Sequence, residues 1–487
     1  MCDAMSIDED LASLAIRHAL AVGAEYVDVR YEYRESRWLL LEDARIEHVA
    51  YSTDRGMGIR VLVDGAWGFY AVAEPSSSDE VKEGVENAFK LAKGSSTRLK
   101  DKDRVKLADV KAYTDKVNIG FKKDTRERFD ELVRLARDAD HAMRSNDKEK
   151  RLHKTSISAG YDYVEKLFMS SDGSNILQRY MDTVMNISAT AHEGSLNETV
   201  SRTDGGRGGL ELLEGADIIA KASSIASDAI MLLNAKPARE DKATLIMDPD
   251  FVALLTHEIL GHPSEADRVL GYEMAWAGGA WWAGMLGKRI GSSLLNVSDD
   301  PTIEGSLGHY MYDDEGVKAR EKVLVREGVL VGHMQSRETA SIFNVEPNAG
   351  MRATGYEFMP LIRMACTYIK PLDYSLEEMI KDIKHGYIIH GQKVPSIDMY
   401  RYNWSISCQY ARRIEDGEVV EGPEGMLRDV IVMGNAPEFF ASIDACSKQY
   451  EIRPILNCGK GDPMQTLRMG NGGPYVRAIA TVKSVAV

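Results

Sequence analysis

The segment THEILGHPSEAD, residues 256 to 267, carries two histidines with a glutamate directly after the first. Two imidazoles can hold a metal ion, and a carboxylate beside them can take a proton from water that the ion activates. In the His-Glu-x-x-His pattern of zinc hydrolases the ring ligands sit four apart, on one face of a helix. Here His257 and His262 are five apart. On a regular helix that separates them by roughly 140°, too far to grip one ion. Metal chemistry therefore requires a local departure from helical geometry.

The flanking residues allow one. ATLIM, residues 243 to 247, reads as a short strand, Asp248 as a helix N-cap and Pro249 as the first helical position. The helix then runs through Phe251, Val252, Leu254 and Leu255 to His257 and Glu258. Gly261 tolerates left-handed torsions and Pro263 disfavours the α region for His262, which places His262 on the turn leaving the helix. A π-bulge serves equally, because a widened turn brings residues five apart nearly into line. Glu258 is then placed to act as general base. The competing reading is two histidines capping a helix end beside a surface glutamate. Glu265 and Asp267 are candidates to hold a ligand imidazole from behind, or plain surface charges. A catalytic zinc wants a third protein ligand and an open position. By chemistry the third is one of His309, His333, His385, His390, Cys408, Cys446 and Cys458. Cys458 lies in NCGKGDP, where glycines allow close backbone approach and Lys460 would favour the thiolate.

The 487 residues allow two or three domains and a substantial core, and 44% hydrophobic with 28% charged residues is an ordinary globular composition. A net charge of −15 argues against binding nucleic acid or an anionic membrane. The acidic N-terminus lacks a basic n-region, and five scattered cysteines form no disulfide framework, so a reducing cytoplasm is expected. Residues 269 to 287 are nearly uncharged but rich in glycine, which fits a buried or cleft-lining segment better than a membrane span.

The fold class expected is α+β, with α/β N-terminal portions and a largely β C-terminal region. Residues 1–103 form the first unit: a helix over 6–23 stopped by Gly23, strand-like runs, a hairpin turning at Asp64-Gly65, and a helix over 76–94. A middle unit, 104–236, carries a helix over 125–145, strands over 153–203 and a helix over 212–234. The glycine-rich stretch at 203–217 matches no phosphate-binding fingerprint and reads as a flexible connection. The third unit, 237–487, holds the metal motif among strands and turns.

In addition, HEILGHPSEAD, NCGKGDPMQTLRMGNGGPYVR, GIRVLVDGAWGFYAVA, DDEGVKAREKVLVREGVLVGHMQSRETA and ATGYEFMPLIRMACTYIKP occur together. In this combination, over nearly its whole length, the chain resembles the TldD/PmbA peptidase family, in its metal-bearing TldD branch. The resemblance implies a zinc metallopeptidase with His257, His262 and Cys458 on Zn²⁺ and Glu258 as general base. It also implies unstructured peptides as substrates, bound as extended chains in an enclosed cavity, and a homodimer or a heterodimer with a metal-free sister subunit.

Where many relatives are polar, this chain has Trp276, Trp281 and Trp282, which are expected either to line the substrate cleft and favour apolar peptides or to pack in the core. The alternatives to a peptidase are a peptide-binding or chaperone-like subunit with a structural metal, and a metal-dependent hydrolase of another amide.

Overall fold

A computed structural model describes residues 7–145, 147–275 and 278–484. The N-terminal half is built on one twisted sheet. Helix α1 (Glu9–Ala21) is capped by Asp8, whose carboxylate accepts from the amides of Asp10 and Leu11, and Gly23 follows its end at φ 103°. Strands β1 (Tyr26–Glu42) and β2 (Arg45–Val63) form a long antiparallel pair, and β2 turns into β3 (Ala66–Ala73) through Asp64 and Gly65. Both turn residues have positive φ, 49° and 72°, the backbone this two-residue hairpin demands. Helix α2 (Ser78–Ser96) lies on the same sheet. Gly68 lets it approach, since a Cβ there would overlap the Ala88 carbonyl.

The sheet continues through β4 (Thr114–Asn118), β5 (Leu152–Ser170), β6 (Asn175–Glu193) and β7 (Leu196–Arg207), in the order β3-β2-β1-β5-β6-β4, with β7 also on β6. Helices α3 (Phe129–Ser145) and α4 (Ile218–Leu232) bury Leu132, Ala136, Ala222 and Ala226 against Ile157 and Met185. The stretch read as a flexible connection is ordered instead. Thr203–Arg207 completes β7, Arg207 is tied to Asp182 at 2.8 Å, and the Glu211 carboxylate accepts from the amides of Lys122, Lys123 and Gly209.

The C-terminal half centres on β8 (Asp241–Met247), β9 (Cys366–Ile369), β10 (His385–His390), β11 (Ala445–Lys460) and β12 (Gln465–Ser484). Strand β12 pairs with β8 and β11 antiparallel and with β9 parallel. Helix α5 (Pro249–Thr256) packs across this sheet, burying Phe251, Val252 and Leu255 in the largest core. Helices and antiparallel strands in separate layers make the chain α+β, as expected. Among the described residues no helix is long and apolar enough to cross a membrane.

The two halves are locked by buried charge. Arg60 on β2 donates to Asp28 at 2.6 Å and to Glu315 of the C-terminal half at 3.2 Å, and Lys166 on β5 meets Asp314 at 2.6 Å. These pairs, out of water, fix one docking geometry, since any other leaves a buried charge unmatched.

Candidate metal centre

Asp248 caps α5 by accepting from the Phe251 amide at 2.8 Å, with Pro249 in the first turn. At His257 the helix widens into a π turn, His257–Gly261, and then tightens into a 3₁₀ turn, His262–Ser264. The wide turn resolves the five-residue spacing, bringing the two rings edge to face with centroids 4.7 Å apart. The expected torsions at this corner are corrected. Gly261 has φ −69° and His262 φ −57°, both right-handed. Gly261 leaves room for the Met364 sulfur, which a Cβ there would displace.

Cys458 arrives from β11, beside a register shift between Ile455 and Cys458. Its sulfur lies 3.5 Å from His262 Nε2, and one ligand atom from each of His257, His262 and Cys458 lies within 4.8 Å of the others. A tetrahedral ion with arms of about 2.0–2.3 Å needs donors about 3.3–3.8 Å apart, so a small inward movement of these side chains closes the set. Two imidazoles and a thiolate suit zinc. The other candidates for a third ligand stand elsewhere. His309 is held to the Pro301 carbonyl at 2.7 Å, His385 to Asp241 at 2.6 Å, His390 stacks on Tyr410, and Cys408 and Cys446 are buried.

Each ring is fixed from behind. His257 Nδ1 is 2.9 Å from Asn471 Oδ1 on β12, and His262 Nδ1 is 3.2 Å from Glu265 Oε2. Glu265 is itself held by Arg268 at 2.6 Å and Lys460 at 3.3 Å. Asp267 differs from its expected placement: it meets Lys460 at 2.7 Å and touches neither imidazole. Lys460 therefore neutralises carboxylates rather than the thiolate. Burial by itself would push the Cys458 thiol up, but the charges of His257, His262 and Arg363 hold it well below its ordinary value. Reciprocally, the thiolate outweighs burial at His257 and raises it to about 9, with a smaller contribution from Glu258. His262 is lowered by burial and by Arg401. Binding an ion on these donors takes a thiolate and neutral imidazoles, so it is linked to the release of protons.

The three side chains and Glu258 open into a cleft of about 630 Å³, walled by Ser201–Thr203 of β7, Pro454–Gly459 of β11, and Arg401. Glu258 Oε2 accepts from the Arg401 guanidinium. Burial opposes its ionisation, yet His257, Arg401 and His262 hold its pKa down at about 2.

Trp281 and Trp282 do not line this cleft. Trp282 is fully buried, and its indole donates to the Pro263 carbonyl at 2.6 Å. Trp281 donates to the Ile259 carbonyl at 2.9 Å and stacks against Phe440. Trp281 pins the π turn and Trp282 the 3₁₀ turn that follows it, which corrects the cleft-lining expectation for these two. Trp276 lies outside the described residues.

Sequence reasoning missed Asn471 and Arg401. A polar residue between glycines in GNGGPY was the one signal for Asn471. Arg401 gave none, because a loop far along the chain delivers it. Asn471→Ala is expected to weaken zinc binding about 10–100-fold, measured by competition with a chromophoric chelator; unchanged affinity would show that His257 needs no orienting partner.

His333 shows the opposite fate of a candidate ligand. It is buried with an unpartnered Nδ1, and burial alone pushes its pKa down to about 4. Unfolding returns it to about 6.5, so the unfolded chain binds more protons between these values. Its stabilising contribution is present above about pH 6.5 and is lost as pH falls towards about 4. His333→Leu is expected to flatten the stability slope in that window by up to about 1.4 kcal/mol per pH unit. Denaturant titrations across the window check this, and an unaltered slope counts against it.

Three family models match in order: PmbA/TldA metallopeptidase domain 1 over residues 27–92, the central domain over 124–233, and the C-terminal domain over 240–483. A metalloprotease of Methanocaldococcus jannaschii is 32% identical over 96% of this chain and 98% of its own. A zinc metalloprotease TldD homolog of Saccharolobus solfataricus is 26% identical over 95% and 97%. The crystal structure of TldE from Thermococcus kodakarensis superposes with a TM-score of 0.76 at 20% identity, over 98% of this chain and 99% of that one, and shares the fold.

Proposed function

Because the chain belongs to the PmbA/TldD metallopeptidase family and is a peptidase, we propose that it hydrolyses unstructured peptides, with zinc held by His257, His262 and Cys458 and Glu258 as general base. The observation that carries this reading is the convergence of three buried donor side chains on the floor of a cleft that also holds Glu258. Among the described residues no fourth donor joins the three. That favours an open catalytic position over a closed structural site.

When bound, zinc supplies a Lewis acid that polarises the scissile carbonyl and acidifies water. The protein's own groups do the rest. Glu258 takes the proton of the attacking water and passes it to the leaving amine. Asn471 and Glu265 fix the two rings, and Trp281 and Trp282 hold the carbonyls of the turn that carries them. With two neutral imidazoles and one thiolate the loaded site has net charge +1, a weaker Lewis acid than a three-histidine site, so the reaction leans on Glu258. An extended peptide is bound through its main chain between β7 and the bulged part of β11, where Leu456 and Asn457 stand outside the β11–β12 ladder. A metal-free sister subunit or a second copy of the chain completes the enclosure.

The test is chelation. Removing metal is expected to abolish cleavage of an unstructured peptide while circular dichroism stays native, and added zinc to restore cleavage. Unfolding on chelation would favour a structural metal, and cleavage indifferent to chelation would refute the zinc reading.

A further inference from the structure

Arg401 has no assigned role, yet its surroundings are built to present it. It sits in the loop 398–403, where one carboxylate, that of Asp398, accepts from the amides of Tyr400, Tyr402 and Asn403 and from the Asn403 side chain. The Arg401 amide closes the same loop onto the Asp398 carbonyl at 3.0 Å. Arg401 has φ 61°, a left-handed backbone that costs an arginine energy and persists only where surrounding bonds enforce it. The strained turn aims the side chain inward, leaving it 13% exposed, while Met399 and Tyr400 just before it face solvent at 60% and 57%.

Inside the cleft the guanidinium donates through one terminal nitrogen to the Glu258 carbonyl at 3.2 Å and to the Glu258 carboxylate. Its Nε is buried and has no protein partner. A buried charged donor left unpartnered beside a proposed reaction centre calls for an acceptor that arrives with the ligand. The resting ion pair also occupies the carboxylate that must receive water's proton, so the pair has to part when substrate enters.

We propose that Arg401 is a catalytic residue. Its guanidinium hands over from Glu258 to the oxygen of the scissile carbonyl, frees the carboxylate, and stabilises the negative charge that builds on that oxygen. This rests on the peptidase reading. In the reaction the water oxygen bonds to the carbonyl carbon and its proton goes to Glu258. The carbon–nitrogen bond then breaks as Glu258 protonates the amine. Arg401 keeps its proton throughout and only donates hydrogen bonds.

The test compares two ligands on zinc-loaded wild type, Arg401→Lys and Arg401→Ala, by calorimetry. One is a phosphinic peptide, tetrahedral and anionic like the hydrated scissile bond; the other is the matching peptide with an N-methylated, uncleaved amide. Arg401→Ala is expected to keep its zinc and to lose about 100-fold in phosphinate affinity, with less than about threefold change for the amide peptide. Lysine keeps the charge without the planar fork, so Arg401→Lys should fall between. Added guanidinium ion should restore part of the lost phosphinate binding to Arg401→Ala, which a loop-anchoring role would not allow. Equal effects on both ligands, no effect, or loss of zinc overturns the assignment to Arg401 while leaving the peptidase reading intact. A zinc-loaded wild type that binds neither ligand overturns both.

Discussion

Glu258→Gln is expected to keep about one zinc per chain and to lose about 10²–10⁴-fold in turnover. Glutamine has the shape of glutamate and leaves the ring partners of His257 and His262 untouched. The substitution removes one thing, a carboxylate able to accept and return a proton. It also leaves Arg401 with a neutral partner in a buried setting, so some loss of stability should accompany the loss of rate. Zinc content by elemental analysis and turnover on an unstructured peptide separate these effects. Retained activity would remove Glu258 from the mechanism. Lost zinc would make it a structural support of the site.

Cys458→Ala carries the other large effect. It deletes the one anionic donor of the three, in a place where His257, His262 and Arg363 all favour negative charge. The remaining imidazoles would face one another near Arg268, Arg363 and Arg401, a repulsive arrangement for a divalent cation. Zinc affinity should therefore fall well beyond the about 10–100-fold that loss of an orienting partner costs. The fold should survive, because Cys458 is a small side chain at a bulged strand position and its carbonyl still accepts from Arg363. Equilibrium dialysis against buffered zinc, with circular dichroism alongside, reads both. Undiminished affinity would assign the third donor elsewhere.

The local elements were legible because their signals are local. Asp248 and Pro249 mark the start of the metal-bearing helix, and Asp64-Gly65 marks a hairpin, through chemistry confined to a few neighbouring residues. The five-residue spacing was readable as a demand for a departure from the regular helix, and the residues alone left two shapes that met it, a turn leaving the helix and a π-bulge. The choice between them depends on distant groups. Met364 packs its sulfur where a side chain at 261 would begin, and Trp281 and Trp282 bind the carbonyls of Ile259 and Pro263. The same cause hid Asn471, 214 residues from the ring it touches, and Arg401, 143 residues from Glu258. Lys460 misled for a related reason. Beside Cys458 in sequence it promised to stabilise the thiolate, but its side chain turns to Asp267 and Glu265 on another segment.

The central claim is a zinc ion on two imidazoles and one thiolate with a position left open to the cleft. X-ray absorption at the zinc edge of the purified wild-type protein tests it most directly. The arrangement of His257, His262 and Cys458 requires one sulfur at about 2.3 Å and nitrogen or oxygen neighbours at about 2.0–2.1 Å, with one of the latter exchangeable for an added ligand. A shell with no sulfur or with two, a closed shell that admits no ligand, or a protein that takes up no zinc would contradict it.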